Sequence, residues 1–291
     1  MKISGFTFVR NAVKFDYPVV ESISSILPIV DEFIVSVGNC VDGTLQLIES
    51  IQSPKIKIVH SAWDDSIREG GKVLAMETDK AFAHISPGSD WAFYIQADEV
   101  VHEKDLPNIV KTARQYLPDT RIQGLIFKFI HFYGTYDYIG DSRRWYSHEI
   151  RIIRNDKKIH SYRDGQGFRT GNDIKLKVKQ ADASIYHYGW VRHPNKQLEK
   201  LGIFYGLWNG EKYIAPPINE KDQFDFLKNA DSVIAFKGQH PNVMQKRITE
   251  KNWKLNFDVT KKKFSFQNKL MYRFEKLTGI RLFRFRNYTK I

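Results

Sequence analysis

Two adjacent carboxylates, Asp98 and Glu99, follow the apolar run WAFYI at 91–95 and have the residue type and position to do chemistry. The length and aromatic content of this run are typical of a buried strand. A strand that ends in acidic side chains, before a helical pattern, matches the ligand crevice at the edge of an open α/β sheet. Carboxylate oxygens suit Mg²⁺ or Mn²⁺. We therefore expect a metal ion or a phosphorylated ligand at this strand end.

Alternating strand and helix patterns must position these acids. The sequence predicts strands at 2–9, 32–37, 55–60 and from 91, with helices at 17–29, 45–51, 74–85 and 106–113. Asp64 or Asp65 is expected to cap the third of these helices. Such alternation over the first 115 residues predicts a largely parallel sheet covered on both faces. Later strands are predicted at 124–134, 149–154 and 183–189, and an amphipathic helix at 194–209.

Length and composition indicate a globular protein. The 291 residues suit one large domain, or one domain with an appendage, and can bury a sizeable core. No run approaches the ~20 apolar residues that span a bilayer, and the N-terminal segment is interrupted at Arg10 before a signal-peptide core could form. We therefore expect a cytoplasmic protein. Cys40 is the only cysteine, which excludes an internal disulfide and a cysteine-based metal site.

The positive charge is concentrated near the C-terminus. Residues 250–291 carry twelve Lys or Arg and three acids, which is +9 of the net charge of +12. Within 257–291 the cations are interleaved with aromatic and aliphatic residues. Such a segment can lie on an anionic membrane surface, stack on single-stranded nucleic acid, or pack on the domain as a helix with a solvated basic face. The membrane and packing interpretations stay open, and a nucleic-acid partner is the least favoured.

Three motifs in a fixed order resemble the family 2 glycosyltransferases of the GT-A fold. They are the first strand with its polar turn at 10–11, VDGT at 41–44 and IQADE at 95–99, and the similarity covers roughly the first 190 residues. The QADE sequence resembles the Asp-x-Asp element of that family, with Gln96 in place of its first acid. Gly38 and Asn39 stand where members commonly have two Asp residues after the second strand.

The resemblance implies an α/β fold of the GT-A type, in which a mixed, Rossmann-like sheet is sandwiched by helices. It implies a catalytic domain at 1–215, made of a nucleotide-sugar half at 1–115 and an acceptor half at 116–215. Residues 216–291 are then expected to form a helical, basic C-terminal appendage.

The same resemblance implies an activity and its partners. We expect an inverting, metal-dependent transferase that uses Mn²⁺ or Mg²⁺ and moves a sugar from a nucleoside-diphosphate sugar to a glycan or a lipid-linked acceptor. Assembly of surface polysaccharide or lipopolysaccharide is the implied setting. A peripheral contact between 257–291 and the inner face of the cytoplasmic membrane would suit such an acceptor.

The resemblance also implies roles for individual residues. Asp98 and His187, which lies in the sequence YHYGW, are expected to hold the metal. Asp164 is the expected general base, with Glu149 and Asp173 as rivals, although each could equally be a turn residue or an ion-pair partner. Residues expected to contact the donor are Phe8, Arg10, Asn11, Asp42, Arg68, Lys72, Gln96 and Asp98.

Two other functions stay open at this point. A nucleotidyltransferase that makes a sugar nucleotide should carry a glycine-rich, basic loop directly after its first strand, and the segment 9–18 contains no glycine. A non-catalytic binding protein with a degenerate donor site is compatible with Gln96 and with the Gly38-Asn39 pair. Liposome flotation with and without residues 257–291, beside a metal-binding titration, would separate such a binding protein from a glycosyltransferase.

Overall fold

The computed structural model describes residues 1–67, 69–209 and 222–291. The chain begins with strands and helices in alternation. These are β1 (Ile3–Val9), α1 (Val19–Ile26), β2 (Glu32–Val37), α2 (Thr44–Glu49), β3 (Ile56–His60), α3 (Lys72–Ala83) and β4 (Trp91–Tyr94). The predicted order is confirmed. The cap predicted at Asp64 or Asp65 is wrong, because α3 begins at Lys72 after Gly71, whose φ of 71° suits glycine.

The remaining elements continue in chain order. They are β5 (Glu99–Val101), α4 (Leu106–Tyr116), β6 (Gly124–Gly140), β7 (His148–Arg154), β8 (Ile159–Tyr162), β9 (Gly167–Thr170), β10 (Ile174–Lys175), β11 (Lys177–Val191), α5 (Pro194–Asn209), α6 (Phe226–Asn229), β12 (Val233–Ala235), α7 (Gln245–Glu250), α8 (Phe266–Thr278) and β13 (Thr289–Lys290). Short 3₁₀ turns cover Leu27–Ile29, Glu103–Asp105 and Asn242–Met244.

One large mixed sheet organises these elements. Its strands follow the order β13-β11-β6-β7-β4-β1-β2-β3. Strands β3, β2, β1 and β4 are parallel neighbours. Strand β7 runs antiparallel to β4 and β6, and β11 runs parallel to β6. Strands β10, β9 and β8 form a second, three-stranded sheet, which packs against the large one through Ile159 and Phe168.

Apolar clusters cover both faces of the large sheet. Phe33 and Ile34, neighbours in β2, belong to opposite clusters because successive side chains of a strand point to opposite faces. Ile23 of α1 packs in the cluster of Phe33, and Phe82 of α3 packs in the cluster of Ile34. The predicted α/β fold, a mixed sheet sandwiched by helices, is therefore confirmed.

The acid-bearing strand ends earlier than the sequence suggests. Strand β4 stops at Tyr94, and the amide of Glu99 donates to the carbonyl of Gln96 in a turn (3.0 Å). The chain then forms β5, which pairs antiparallel with β11, so that Glu99 lies opposite His187. The prediction that both acids share one strand end is wrong, because a turn separates Asp98 from β4 and Glu99 begins a new strand.

The C-terminal region is joined to the large sheet. Strand β12 pairs with β6, and β13 pairs with β11. A purely helical appendage is thus not confirmed, since the described part of 216–291 mixes three short helices with two strands of the main sheet. The predicted boundary between 215 and 216 lies outside the described residues. None of the helices at 1–67, 69–209 or 222–291 is long and apolar enough to cross a bilayer.

Candidate functional site

A cleft of about 480 Å³ opens beyond the carboxyl ends of β1 and β4. This is the edge where open α/β sheets bind their ligands. Strand β11 and helix α5 supply the opposite wall. The lining includes Phe8, Arg10, Tyr17, Trp63, Gln96, Asp98, Tyr146, Arg151, Asp164, Gln166, His187, Gly189 and Lys200.

Asp98 lies at the centre of the charged wall of this cleft. Its carboxylate oxygens are 3.8 Å from His187 Nε2 and 3.7 Å from Lys200 Nζ. Burial by itself raises the pKa of Asp98, but His187, Lys200 and Arg192 outweigh it and hold this pKa below its usual value. The side chain is 13% exposed. Asp98 is therefore an ionised carboxylate that still reaches the cleft.

A chain of hydrogen bonds fixes the tautomer of His187. His131 Nε2 lies 2.7 Å from the carbonyl oxygen of Tyr146, which can only accept, so this nitrogen carries the proton. Burial keeps the pKa of both imidazoles below the usual value. In the neutral rings His131 Nδ1 must then accept from His187 Nδ1, 3.0 Å away. This assignment leaves the lone pair of His187 Nε2 directed to the side of Asp98.

Gly189 leaves an open space between the side chains of Asp98 and His187. A Cβ atom at this position would lie 2.6 Å from His187 Nε2 and 2.7 Å from Asp98 Oδ2. Any larger residue would therefore fill the gap between the two side chains. The glycine is required here for close approach, and the gap is of a kind that a small ligand atom can enter.

Lys200 and Arg192 surround the carboxylate with positive charge. Lys200 Nζ also donates to the carbonyl of Gly189 (3.2 Å), and burial, with the nearby guanidinium of Arg192, lowers its pKa to about 7. Arg192 is fully buried and donates to the carbonyls of Phe15 (2.6 Å) and Gly189 (3.0 Å). Two cations beside one carboxylate favour an anionic ligand in the adjacent cleft.

The donor set fits a divalent ion. One carboxylate and one imidazole with a free Nε2 lone pair are ligand types that Mn²⁺ accepts, and His187 donates its other N–H as metal-bound histidines do. Among the described residues there is no group of three or more His, Cys, Asp or Glu able to hold a metal. Such an ion would need further ligands from solvent and from substrate phosphates, which is how Mg²⁺ is commonly bound in nucleotide sites.

Glu99 is part of the core and does not line the cleft. It is fully buried and receives two hydrogen bonds of 2.7 Å from Arg151 Nε and Nη2. This bidentate pair satisfies the carboxylate, so it cannot ligate a metal. Arg151, unlike Glu99, lines the cleft.

Asp164 also lines the cleft, from a loop with left-handed backbone conformations. Arg163 and Gly165, its neighbours, have φ of 56° and 77°. Burial raises the pKa of Asp164, and its Oδ1 is buried without a hydrogen-bond partner within the described ranges. A carboxylate with a free oxygen and a raised pKa has the properties of a general base.

Gln96 supports the loop that carries Asp164. Its Nε2 donates to the hydroxyl of Tyr94 (3.2 Å) and to the carbonyl of Gly165 (3.4 Å). A carboxylate at this position could not donate to a carbonyl. The amide of Gln96 therefore has a structural role that a carboxylate could not fill.

The second wall of the cleft is aromatic. Phe8 and Trp63 pack with ring centroids 5.6 Å apart, and the guanidinium of Arg10 lies 5.4 Å from the Trp63 ring. Arg10 Nη2 also bonds Asp65 Oδ2 (3.1 Å). These side chains form a partly exposed platform at the end of β1.

Three expected donor residues lie outside the cleft lining. Asn11 accepts from the amide of Val41 (3.0 Å), and Asp42 accepts from the amide of Lys14 (2.7 Å), so both hold the turn after β1. Lys72 is exposed and pairs with Glu69. Arg68 lies outside the described residues.

The two rival bases also lie elsewhere. Glu149 is buried beside Gly167 and Asn287, and burial raises its pKa to about 7. Asp173 is exposed in the turn before β10 and pairs with His160 (3.0 Å). Of the three candidates the structure brings only Asp164 into the cleft.

Several residues in or behind the cleft were not predicted from the sequence. Lys200 is on the inner face of the predicted helix α5, where a lysine is ordinarily solvated, and Trp63 follows β3 in an irregular segment. His131 lies within an apolar strand pattern. Arg151, in EIRIIR, had the strongest signal in the sequence. A cation flanked by isoleucines in a strand must either be paired or face a site.

No known family's sequence profile matches this chain, and neither does any curated protein. Solved structures resemble it in part. A fragment of S. aureus TarS in complex with UDP-GlcNAc is 16% identical, with a TM-score of 0.41, over 70% of this chain and 65% of that one. Against another TarS structure the chain spans only 39% of that protein's length.

Two further structures show the breadth of these likenesses. Glucosyl-3-phosphoglycerate synthase from Mycobacterium tuberculosis, in complex with Mn²⁺, UDP and phosphoglyceric acid, is 22% identical over 45% of this chain and 43% of that one, with a TM-score of 0.30. A 4-diphosphocytidyl-2C-methyl-D-erythritol synthase from Anaerococcus prevotii is 11% identical over 53% and 71%, with a TM-score of 0.35. Likenesses at this level assign neither residues nor activity to this chain.

Proposed function

We propose that this protein is a glycosyltransferase that uses a nucleoside-diphosphate sugar. The observation that carries the proposal is a cleft at the sheet edge whose lining brings together the Asp98–His187 pair, the aromatic wall and Asp164, whose Oδ1 has no hydrogen-bond partner among the described residues. A transferase of this class needs a site for a diphosphate and a base for the acceptor hydroxyl, and the cleft offers both.

The donor would lie across the two walls. Phe8 and Trp63 present aromatic faces on which a nucleotide base can stack. Lys200, at 3.7 Å from Asp98, stands where a diphosphate beside that carboxylate would gain a positive partner. The donor is thus oriented with its base at β1 and its diphosphate at β11.

Asp98 and His187 would hold Mn²⁺ or Mg²⁺ through a carboxylate oxygen and Nε2. When bound, such an ion neutralises the charge that develops on a leaving diphosphate. His131 keeps Nε2 of His187 unprotonated, because its Nδ1 accepts a hydrogen bond from the Nδ1–H of His187. Gly189 keeps the space between the two side chains open.

Asp164 would accept the proton of the attacking acceptor hydroxyl. Displacement by that hydroxyl at the anomeric carbon, from the face opposite the leaving diphosphate, inverts the configuration. The raised pKa of Asp164 brings this carboxylate nearer to the working pH, which suits a base. Glu149 is too far into the core to take this part, since it does not line the cleft.

The acceptor we propose is a glycan or a lipid-linked sugar, in surface-polysaccharide or lipopolysaccharide assembly on the cytoplasmic side of the membrane. This choice of acceptor rests on the family resemblance carried by the sequence motifs VDGT at 41–44 and IQADE at 95–99. Tyr146, in the β6–β7 connection, forms part of the cleft lining.

Turnover of sugar nucleotides tests the proposal. The protein is incubated with UDP-, GDP- and dTDP-sugars and Mn²⁺, and the released nucleoside diphosphate is measured. Release from one donor class, with loss on chelation of the metal, is the expected result. Formation of pyrophosphate from a sugar phosphate and a nucleoside triphosphate would instead identify a nucleotidyltransferase. A folded protein that turns over no donor and binds none would contradict the proposal.

A further inference from the structure

Helix α8 exposes the face that a surface helix ordinarily buries. Phe266, Leu270, Phe274 and Leu277 follow the spacing i, i+4, i+8 and i+11, which places them on one face of the helix. Phe266 and Leu277 are 84% and 87% exposed. The helix contributes no buried residue to the fold, although it is well formed, with a Ser265 cap at its start and Gly279 at its end.

Polar contacts hold the opposite face of α8 against the protein. Lys276 and Tyr272 bond the carboxylate of Asp141, with a Lys276 Nζ–Oδ1 distance of 2.7 Å. Glu275 accepts from Arg143 Nη1 at 2.8 Å. The helix is therefore anchored by its charged side, and its apolar side is held outward.

The chain after α8 extends the same pattern. Arg281 turns inward and donates to the carbonyls of Arg143 (2.7 Å) and Trp145 (2.9 Å), and Arg284 contacts His148 (3.1 Å). The apolar residues between them point outward, and Phe283 is 89% exposed. The complete outward apolar set is Phe266, Leu270, Phe274, Leu277, Ile280, Leu282, Phe283 and Phe285.

Positive charge accompanies this apolar surface. Residues 266–286 carry six Lys or Arg and one acid, Glu275, which is bound inward to Arg143. Lys269, Arg273 and Arg286 are exposed. Exposed phenylalanine and leucine rimmed by cations match the interface of an anionic bilayer, where apolar side chains enter the acyl boundary and cations meet phosphate groups.

We infer that residues 266–286 form a docking surface for an anionic lipid bilayer. The surface lies beside the catalytic cleft, because Arg281 holds the carbonyl of Trp145 and the next residue, Tyr146, lines that cleft. Docking would bring the cleft to the membrane, where a lipid-linked acceptor resides; this last step rests on the proposed function. A nucleic acid would need stacking aromatics inside a basic groove, whereas these aromatics protrude.

Vesicle co-sedimentation of the full chain tests the inference without any donor. Vesicles of phosphatidylglycerol and phosphatidylcholine are compared with vesicles of phosphatidylcholine alone. The wild-type protein should bind the anionic vesicles, and the double variant Leu277→Ser, Phe283→Ser should bind them about tenfold or more weakly. Both side chains are exposed, so the variant should keep the wild-type circular dichroism spectrum. Charge reversal by Lys269→Glu and Arg273→Glu should have a similar effect.

Val41→Ser is the matched control, because Val41 is an exposed apolar residue (84%) in the turn after β2, outside residues 266–286. It should bind vesicles as the wild type does. Failure of the wild type to bind anionic vesicles, or equal binding by the double variant, would overturn the inference. So would concentration-dependent self-association through this surface, or tighter binding to single-stranded RNA than to vesicles. Donor turnover in vesicle-free solution is read separately, so failure of either proposal is distinguishable.

Discussion

The two walls of the cleft differ in kind. The wall at the end of β1 is aromatic and partly exposed, with Phe8 and Trp63 in contact and Arg10 above the indole. The wall at β11 and α5 gathers buried charge around Asp98. Under the proposed function, the aromatic wall would supply affinity for a nucleotide base and the charged wall would supply the chemistry. Substitutions on the two walls should therefore change different kinetic constants.

Substitution of Asp98 in the charged wall should give the largest loss of donor turnover. Asp98→Asn removes the carboxylate between His187 and Lys200 and leaves the buried cation Lys200 with less compensation. We expect turnover of the donor to fall by about 10³-fold or more, because the metal and the diphosphate lose their shared partner. Steady-state kinetics at saturating donor measures this. Asp173→Asn, at an exposed turn, is the control and should retain wild-type turnover.

Substitution of Asp164 should give the second-largest loss of activity. Asp164→Asn keeps the shape of the side chain and removes its basicity, so transfer should fall by about 10² to 10⁴-fold while donor affinity changes little. The matched variant is Glu149→Gln, at the buried rival outside the cleft. Single-turnover assays separate chemistry from binding. If Glu149→Gln loses transfer and Asp164→Asn does not, the assignment of the base is reversed.

Substitution of Glu149 should instead change the pH dependence of the free energy of unfolding. Burial raises its pKa in the folded protein from 4.5 to about 7, so the folded state binds the proton more tightly than the unfolded state does. Stability is therefore lost as the pH rises from about 5 to about 8, by about 2 to 3 kcal/mol. Glu149→Gln should abolish this part of the pH dependence. Urea unfolding at both pH values measures the difference, and an unchanged dependence would show that Glu149 has an ordinary pKa.

Substitution in the aromatic wall should give the smallest effect, and it should change KM rather than kcat. Trp63→Ala removes one stacking surface, which is worth about 1 to 3 kcal/mol in nucleotide sites. The KM for the donor should rise about tenfold, and kcat should stay within about twofold. A fall in kcat with an unchanged KM would break the proposed division between the walls.

Much of the parallel half of the fold could be predicted from the sequence. Strand β2 has the predicted bounds, and β1 and β3 differ by one residue, because buried parallel strands are short apolar runs bounded by turns. The position of Phe8 and Arg10 at the ligand edge follows from the same pattern. Asn11 and Asp42 meet the same rule yet hold turns, since type and chain position do not reveal which way a polar side chain points.

The charged wall could be predicted only in part. The sequence does not distinguish the roles of the adjacent acids Asp98 and Glu99. The turn at 95–98 places Asp98 in the cleft and Glu99 against Arg151. Lys200 comes from a helix far along the chain, and only tertiary packing brings it to Asp98. The helical periodicity of α8 was readable, but which side faces the protein depends on the partners Asp141 and Arg143.

Binding of a nucleoside diphosphate is the most direct test of the central claim, that this cleft is a metal-assisted donor site. Isothermal titration of the folded protein with UDP and GDP is carried out with and without Mn²⁺, beside Asp98→Asn. We predict one binding site for one of these nucleotides, an affinity that falls at least tenfold when Mn²⁺ is omitted, and a similar loss in Asp98→Asn. Absence of binding of any nucleoside diphosphate at millimolar concentration, by protein with a wild-type unfolding transition, would contradict the account.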